Sequence, residues 1–190
     1  AVDAQGHNHI IIVPGANGGV NQTDVERLGD RLPSADALLL QLEIPLDAVV
    51  SAAKSAEAAG VNVVLDPAPA CELPDALLAA THIIPPNQTE AERLVGFPVT
   101  DTDTALQAGE VLRQRGVDIA VITLAEQGAI AVTAHGVLTQ PSFPVEVVDT
   151  VAAGDAFNAG LTSALVQGQP LSAALRWATA VAALSVSKSG

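Results

Sequence analysis

The sequence predicts an α/β protein in three layers, with helices on both sides of a mostly parallel sheet, and three observations carry that expectation. Short apolar segments alternate along the chain with longer amphipathic or alanine-rich ones. Three of the short segments, residues 37–42, 61–65 and 119–123, are apolar runs without a two-residue alternation, as in parallel strands buried on both faces. Glycines at positions 60 and 116 stop the helical patterns just before new strands begin. Repeated strand and helix alternation of this kind implies right-handed crossovers within one sheet.

In chain order, His9-Ile10-Ile11-Ile12-Val13 predicts a strand over 8–14, followed by the loop Pro14-Gly15-Ala16-Asn17-Gly18-Gly19. His7 and His9 would share one face of that strand, but two histidines without further ligands make no metal site. A short helix over 23–32 leads to the strand at 37–42. Glu43 then stands at a strand's carboxyl end, where open α/β sheets bind ligands. It also reads as an ordinary exposed strand end, or as N-terminal charge for the helix after Pro45. That helix spans 46–59, and the strand at 61–65 runs into the rigid loop Asp66-Pro67-Ala68-Pro69.

A helix over 73–80 and a strand over 82–84 follow. Pro85-Pro86-Asn87-Gln88-Thr89-Glu90 then opens a helix ending near Val95. Asn87 and Glu90, three apart, suit either a polar pair beside a metal-bound phosphate or a capping box. Residues 103–115 form an amphipathic helix and 119–123 a buried strand. Residues 129–133 and 137–139 pair as a hairpin around Ala134-His135-Gly136. An apolar strand at 145–148 leads into Asp149-Thr150-Val151-Ala152-Ala153-Gly154-Asp155, and helices at 156–166 and 171–187 close the chain, with Pro170 at the start of the second.

The stretch from Asp149 to Asp155 reads as an anion-binding turn carrying one acid. Small residues let the backbone approach a ligand, and a helix beginning near Asp155 would aim its free N–H groups and positive dipole end at an anion. Asp155 fits two roles: a carboxylate that takes a proton from a nucleophile beside a bound phosphate, or a plain helix cap.

Composition narrows the function classes. With 190 residues, 49% of them hydrophobic, the chain can bury one substantial core. A net charge of −13 with only 8 Lys plus Arg argues against a nucleic-acid or acidic-membrane surface. An anionic substrate would then rely on backbone dipoles or a metal ion. No apolar run reaches the length of a membrane span. The single Cys71 cannot pair internally and fits a reducing cytoplasm. Asn21-Gln22-Thr23 and Asn87-Gln88-Thr89 match a glycosylation pattern but read as helix starts. A Rossmann dehydrogenase is disfavoured because no Gly-x-Gly-x-x-Gly follows an early strand. The sequence has no Met, opens on Ala1-Val2-Asp3 and stops within a helical pattern at Lys188-Ser189-Gly190, so it reads as part of a longer protein.

Several motifs, in one order, resemble the ribokinase branch of the PfkB carbohydrate kinase family over essentially all 190 residues. They are Asp149-Thr150-Val151-Ala152-Ala153-Gly154-Asp155, similar to the family's second signature, and Asn87-Gln88-Thr89-Glu90, similar to its Asn-x-x-Glu motif. Leu40-Gln41-Leu42-Glu43 before Pro45, and Asp66-Pro67-Ala68-Pro69-Ala70 before Glu72-Leu73-Pro74, resemble the ribokinase branch specifically. The resemblance implies a ribokinase-like domain over 1–190, incomplete, with residues 8–14 the remnant of a small β lid.

It further implies transfer of the γ-phosphate of ATP to the 5-hydroxyl of D-ribose, or as alternatives a kinase for another sugar or a nucleoside, or a non-catalytic nucleotide-binding module. Asp155 would be the base and contact the sugar together with Glu43. Ala152, Ala153 and Gly154 would form the anion hole, and Asn87, Thr123, Gly128 and Gly154 would contact ATP. Asn87 and Glu90 would hold Mg²⁺ through water, while Asp149 and the Val151 carbonyl would serve a monovalent cation, K⁺. The resemblance also implies a homodimer in the full-length protein, with the apolar edge at 9–13 available to it, and little or no turnover by the 190 residues alone. Ala125 and Glu126 depart from the branch, which carries Gly and a small polar residue there; an inward Glu126 would repel ATP phosphates.

Overall fold

A computed structural model describes residues 13–188. Six strands form one sheet in the order β1-β2-β3-β4-β5-β6: Ala37–Leu40, Asn62–Leu65, Ile83–Ile84, Ile119–Thr123, Ala129–Thr133 and Gly136–Gln140. The first four run parallel, and β5 and β6 join antiparallel as a hairpin in which Thr133 faces Gly136. The seven helices among the described residues are α1 Gln22–Gly29, α2 Leu46–Ala58, α3 Asp75–Ala79, α4 Gln88–Val95, α5 Thr102–Gln114, α6 Ala153–Val166 and α7 Leu171–Val186.

Strand order equals chain order, so every parallel crossover steps the same way, and right-handed crossovers then place α2 to α5 on one face. Side-chain alternation along the strands confirms it. Val63, Leu65, Ile84, Ala120, Ile122, Ile130 and Val132 pack with Val49, Leu77, Leu94 and Leu112 of those helices. Val64, Ile83, Val121, Ala129 and Ala131 point the other way, onto Phe157 and Leu161 of α6 and Leu175 of α7. Three layers result. Helices α6 and α7 approach closely because Gly160 lacks a side chain: a Cβ there would lie 3.1 Å from the Ala178 Cα.

Local chemistry explains most boundaries. Asn21, Asn87 and Asp101 cap α1, α4 and α5 through reciprocal capping boxes, and Pro45, Pro74 and Pro170 precede α2, α3 and α7. Both Asn-x-Thr sites are therefore helix starts. Pro74 delays α3 by two residues relative to the expected start at 73, and α6 begins at Ala153, three residues before the expected 156.

Three expectations need correction. Residues 145–148 form no strand: they have no sheet partner among the described residues, Val148 lies in a bend, and the N–H groups of Val148 and Asp149 donate to the Val186 carbonyl at 2.8 and 3.2 Å. The end of α7 meets the backbone demand that a neighbouring strand would otherwise meet. The strand expected at 37–42 ends at Leu40 and is not buried on both faces: Leu39 is 49% exposed, because β1 is the edge strand among the described residues and lies beyond the reach of α6 and α7. Gly15–Gly19, expected as loop, forms a short 3₁₀ helix. The proposed lid strand over 8–14 and the pair His7 and His9 lie outside the described residues, apart from Val13 and Pro14, which carry no strand.

Candidate active site

The carboxyl ends of the parallel strands and the amino end of α6 meet at one edge of the sheet, where open α/β folds place their ligands. The turn before α6 is built from local constraints. Asp149 Oδ1 accepts the Val151 N–H at 3.0 Å, the Ala153 N–H reaches the Thr150 carbonyl at 3.3 Å, and Ala152 sits in the left-handed region at φ 59°. Among the described helices, α6 alone opens on neither a capping box nor a proline, and no side chain caps it. Of its first-turn N–H groups, that of Ala153 is turned to Thr150, while those of Gly154 and Asp155 have no partner among the described residues and remain available to an anion. Asp155 lies in that first turn without serving as the cap, and its side chain is exposed.

Gly154 differs from a structural glycine. Its backbone is ordinary and a Cβ there would meet nothing within 4 Å, so the fold itself does not require glycine. Gly128 is the opposite case: at φ 98° a Cβ would lie 2.0 Å from the Gln140 carbonyl oxygen. Gly154 and Gly128 both line a cavity of about 560 Å³. Thr123, Glu126, Ser142 and Thr150 give its lining polar groups; Phe143, Pro144, Val147, Ala182, Ala183 and Val186 give it apolar walls. An apolar slot that also presents polar and small residues fits a flat heteroaromatic ring carrying an anionic tail.

Asn87 reaches the same region from β3, bridging to Thr123 on β4, whose N–H donates to the Pro86 carbonyl at 3.0 Å. Asn87 and Glu90 are bonded to one another: Asn87 Oδ1 accepts the Glu90 N–H at 2.9 Å, the Asn87 N–H donates to Glu90 Oε2 at 2.9 Å, and Asn87 Nδ2 donates to Glu90 Oε1 at 2.8 Å. The capping box is thus formed, and it holds both side chains at the edge of the site.

The sequence reading overlooked Asp66 as a site residue. It follows β2 directly and accepts a hydrogen bond from Asn158 Nδ2 at 3.0 Å. Burial pushes its pKa up to about 6, aided by the negative charges of Glu90 and Asp155 and opposed by hydrogen bonds from Asn158 and the Ala68 N–H. Asp66, Glu90 and Asp155 therefore share one field. Among the described residues no group of three or more His, Cys, Asp and Glu side chains forms a metal cage. Mg²⁺ does not require one, since it keeps waters and takes one or two carboxylates together with substrate phosphates, so this donor set fits it. Glu43 is exposed beyond β1; its N–H is held by Gln41 Oε1 at 2.7 Å, and it shares no hydrogen bond with Asp155 among the described residues.

A smaller cavity of about 390 Å³ beside Cys71, Arg93 and Arg115 lies elsewhere. Its Arg115 is committed to Asp75 at 3.0 Å and to the carbonyls of Leu73 and Leu94 at 2.8 and 3.3 Å. No helix among the described residues is long and apolar enough to cross a membrane.

The parallel sheet and its helical layers match solved structures over the whole chain. One, the ribokinase of Arabidopsis thaliana complexed with ribose and ATP, superposes with a TM-score of 0.90 at 34% identity, covering 100% of this chain and 62% of that one. The family model described as pfkB family carbohydrate kinase matches residues 1–190, and the chain belongs to that family. It is 40% identical to a ribokinase of Haemophilus influenzae over 183 residues, which is 96% of this chain and 60% of the relative. It is 35% identical to a deoxyribokinase of Salmonella typhi over 190 residues, 100% of this chain and 62% of the relative. The chain thus spans about three fifths of the length of these relatives.

Proposed function

We propose that this chain carries the nucleotide-binding and phosphoryl-transfer side of an ATP-dependent sugar kinase whose acceptor is the 5-hydroxyl of D-ribose. The observation that carries the reading is the uncapped amino end of α6, with Asp155 in its first turn and Gly154 in the lining of the 560 Å³ cavity. The similarity to a ribokinase and to a deoxyribokinase supports a pentose acceptor.

In this reading the adenine lies between the apolar walls, and the phosphates run past Thr123 and Gly128 towards the turn. The Asp155 carboxylate accepts the proton of the sugar hydroxyl as that oxygen attacks the γ-phosphorus and the bond to the β-phosphate oxygen breaks. The N–H groups at Ala152, Ala153 and Gly154 would hold the charge on the transferring group, that of Ala153 exchanging its long bond to the Thr150 carbonyl for a phosphoryl oxygen; losing one such donor typically costs roughly 3–4 kcal/mol. Asn87 and Glu90, with Asp66 beside them, would hold Mg²⁺ through water, and Glu43 would contact the sugar. When bound, the metal ion neutralises phosphate charge. Asp149 and the Val151 carbonyl would serve K⁺, with one Asp149 oxygen already fixed on the Val151 N–H. A homodimer in the cytoplasm completes the proposal.

The test is ADP formation by the purified full-length protein with D-ribose, 2-deoxyribose, fructose and nucleosides in parallel. Ribose-dependent turnover that disappears in Asp155→Asn supports the reading. Nucleotide binding without turnover on any acceptor would instead make the chain a non-catalytic binding module.

A further inference from the structure

Among the described residues Glu126 is the one ionisable side chain lining the 560 Å³ cavity, with no Lys or Arg beside it on the walls. Its backbone is tightly held. Ala125 adopts the left-handed region at φ 49°, the Gln127 N–H donates to the Leu124 carbonyl at 2.9 Å and the Gly128 N–H to the Ala125 carbonyl at 3.0 Å. The Ser142 hydroxyl donates to the Glu126 carbonyl oxygen. Gly128 has no room for a side chain. The backbone that carries Glu126 is therefore held at the wall of a pocket whose other electrostatic feature is the positive end of α6, and its exposed side chain puts a carboxylate among the lining groups. For a ligand with a highly charged tail, the end of α6 attracts and this carboxylate repels.

We propose that Glu126 is a charge filter on the nucleotide cavity, disfavouring a polyphosphate whose charge is uncompensated and so selecting the cation-neutralised form. This rests on the nucleotide reading above. Repulsion between the carboxylate and the phosphate chain grows with the ligand's net negative charge and is screened by salt. Free ATP carries about two charges more than its magnesium complex, and adenosine carries none. The filter thus acts most on free ATP, least on adenosine, and fades as ionic strength rises. It discriminates without touching the reacting atoms, which makes Glu126 a specificity-determining residue and not a catalytic one.

The experiment is calorimetric titration of the parent protein, Glu126→Gln and Glu126→Asp with ATP in the presence of a chelator, with magnesium-saturated ATP and with adenosine, each at low and high salt. For Glu126→Gln, free ATP should bind about fivefold tighter at low salt, magnesium-ATP about twofold tighter and adenosine unchanged. Glu126→Asp should keep the parent's ranking, and high salt should remove most of the gain. Equal ATP affinity in parent and Glu126→Gln, with ATP binding both, would overturn the filter and leave the nucleotide reading standing. A shift of the same size for adenosine would also overturn it, by assigning Glu126 a packing role. If neither adenosine nor either form of ATP binds the parent or Glu126→Gln, the nucleotide reading falls and takes the filter with it.

Discussion

Asn158 Nδ2 donates to Asp66 Oδ2 at 3.0 Å, joining α6 to the end of β2 across 92 positions of sequence. Asn158 lies three residues after Asp155 and is only 6% exposed, so this bond fixes the helical turn that carries the proposed base against the sheet. Truncating Asn158→Ala leaves Asp66 without this partner. We expect a loss of about 1–3 kcal/mol in stability, read by denaturant unfolding. An unchanged midpoint would show that the bond contributes nothing.

Asp66 also makes stability depend on pH. Its folded pKa of about 6 lies above the ordinary 3.8, so the folded chain binds this proton more tightly than the unfolded chain. The Asp66 contribution is therefore fully favourable below about pH 4, declines as pH rises towards about 6, and is level above that. After allowance for its partial exposure, about 1–2 kcal/mol is at stake. Asp66→Asn should melt a few degrees above the parent at pH 8, roughly 2–6 °C, and together with it near pH 4. Melting curves without divalent cations decide this; a constant difference at both pH values contradicts the assignment.

Asp155→Asn should lower kcat by about 10²–10⁴-fold while the dissociation constant for magnesium-ATP changes less than about threefold. Because the Asp155 side chain is exposed and caps nothing, its melting temperature should match the parent's. Loss of stability together with activity would return Asp155 to a structural role.

Gly154→Ala and Gly128→Ala form a contrasting pair. The first adds a methyl group to open space at the cavity, so the fold should be unaffected and magnesium-ATP affinity should fall about tenfold or more, since the group would occupy a ligand's place. The second forces a Cβ to within 2.0 Å of the Gln140 oxygen at a positive φ, and should destabilise by more than about 2 kcal/mol. Equal effects of both substitutions on stability would mean that Gly154 is a packing residue.

Removing the cap of α4 with Asn87→Ala should cost about 1 kcal/mol in stability. If Asn87 also orients the metal-bound phosphates, kcat/KM falls well beyond what the lost stability explains. Activity preserved under conditions where the variant is fully folded would leave Asn87 a cap only.

Much of this molecule was legible residue by residue. The strand at Ile119–Thr123 agrees with its apolar run to the residue, and Asn21 and Asn87 stand at helix starts as their motifs predict. Such signals are written in a few neighbouring residues: an apolar run bounded by turn residues, or a side-chain oxygen within reach of the next turn's N–H groups. The motifs likewise put Asn87 and Thr123 at strand ends, and there both stand, on one edge of the sheet, whereas the strand expected before Asp155 is not formed. What neighbouring residues do not contain is the identity of a distant partner. Residues 145–148 have the composition of a strand, yet among the described residues their backbone meets only the Val186 carbonyl, so they form no ladder beside α7.

The sequence by itself determined the alternation of strand and helix, the caps, the small-residue turn and the acid behind it, because backbone propensity and hydrophobic period are local properties. Only the tertiary structure decided that Leu39 stands exposed on an edge strand, that Asp66 is raised by burial and by two acids from other elements, and that α7 closes the cavity with Ala182, Ala183 and Val186. Burial and electrostatic field are sums over everything nearby in space, and neither exists until the sheet has brought distant segments together.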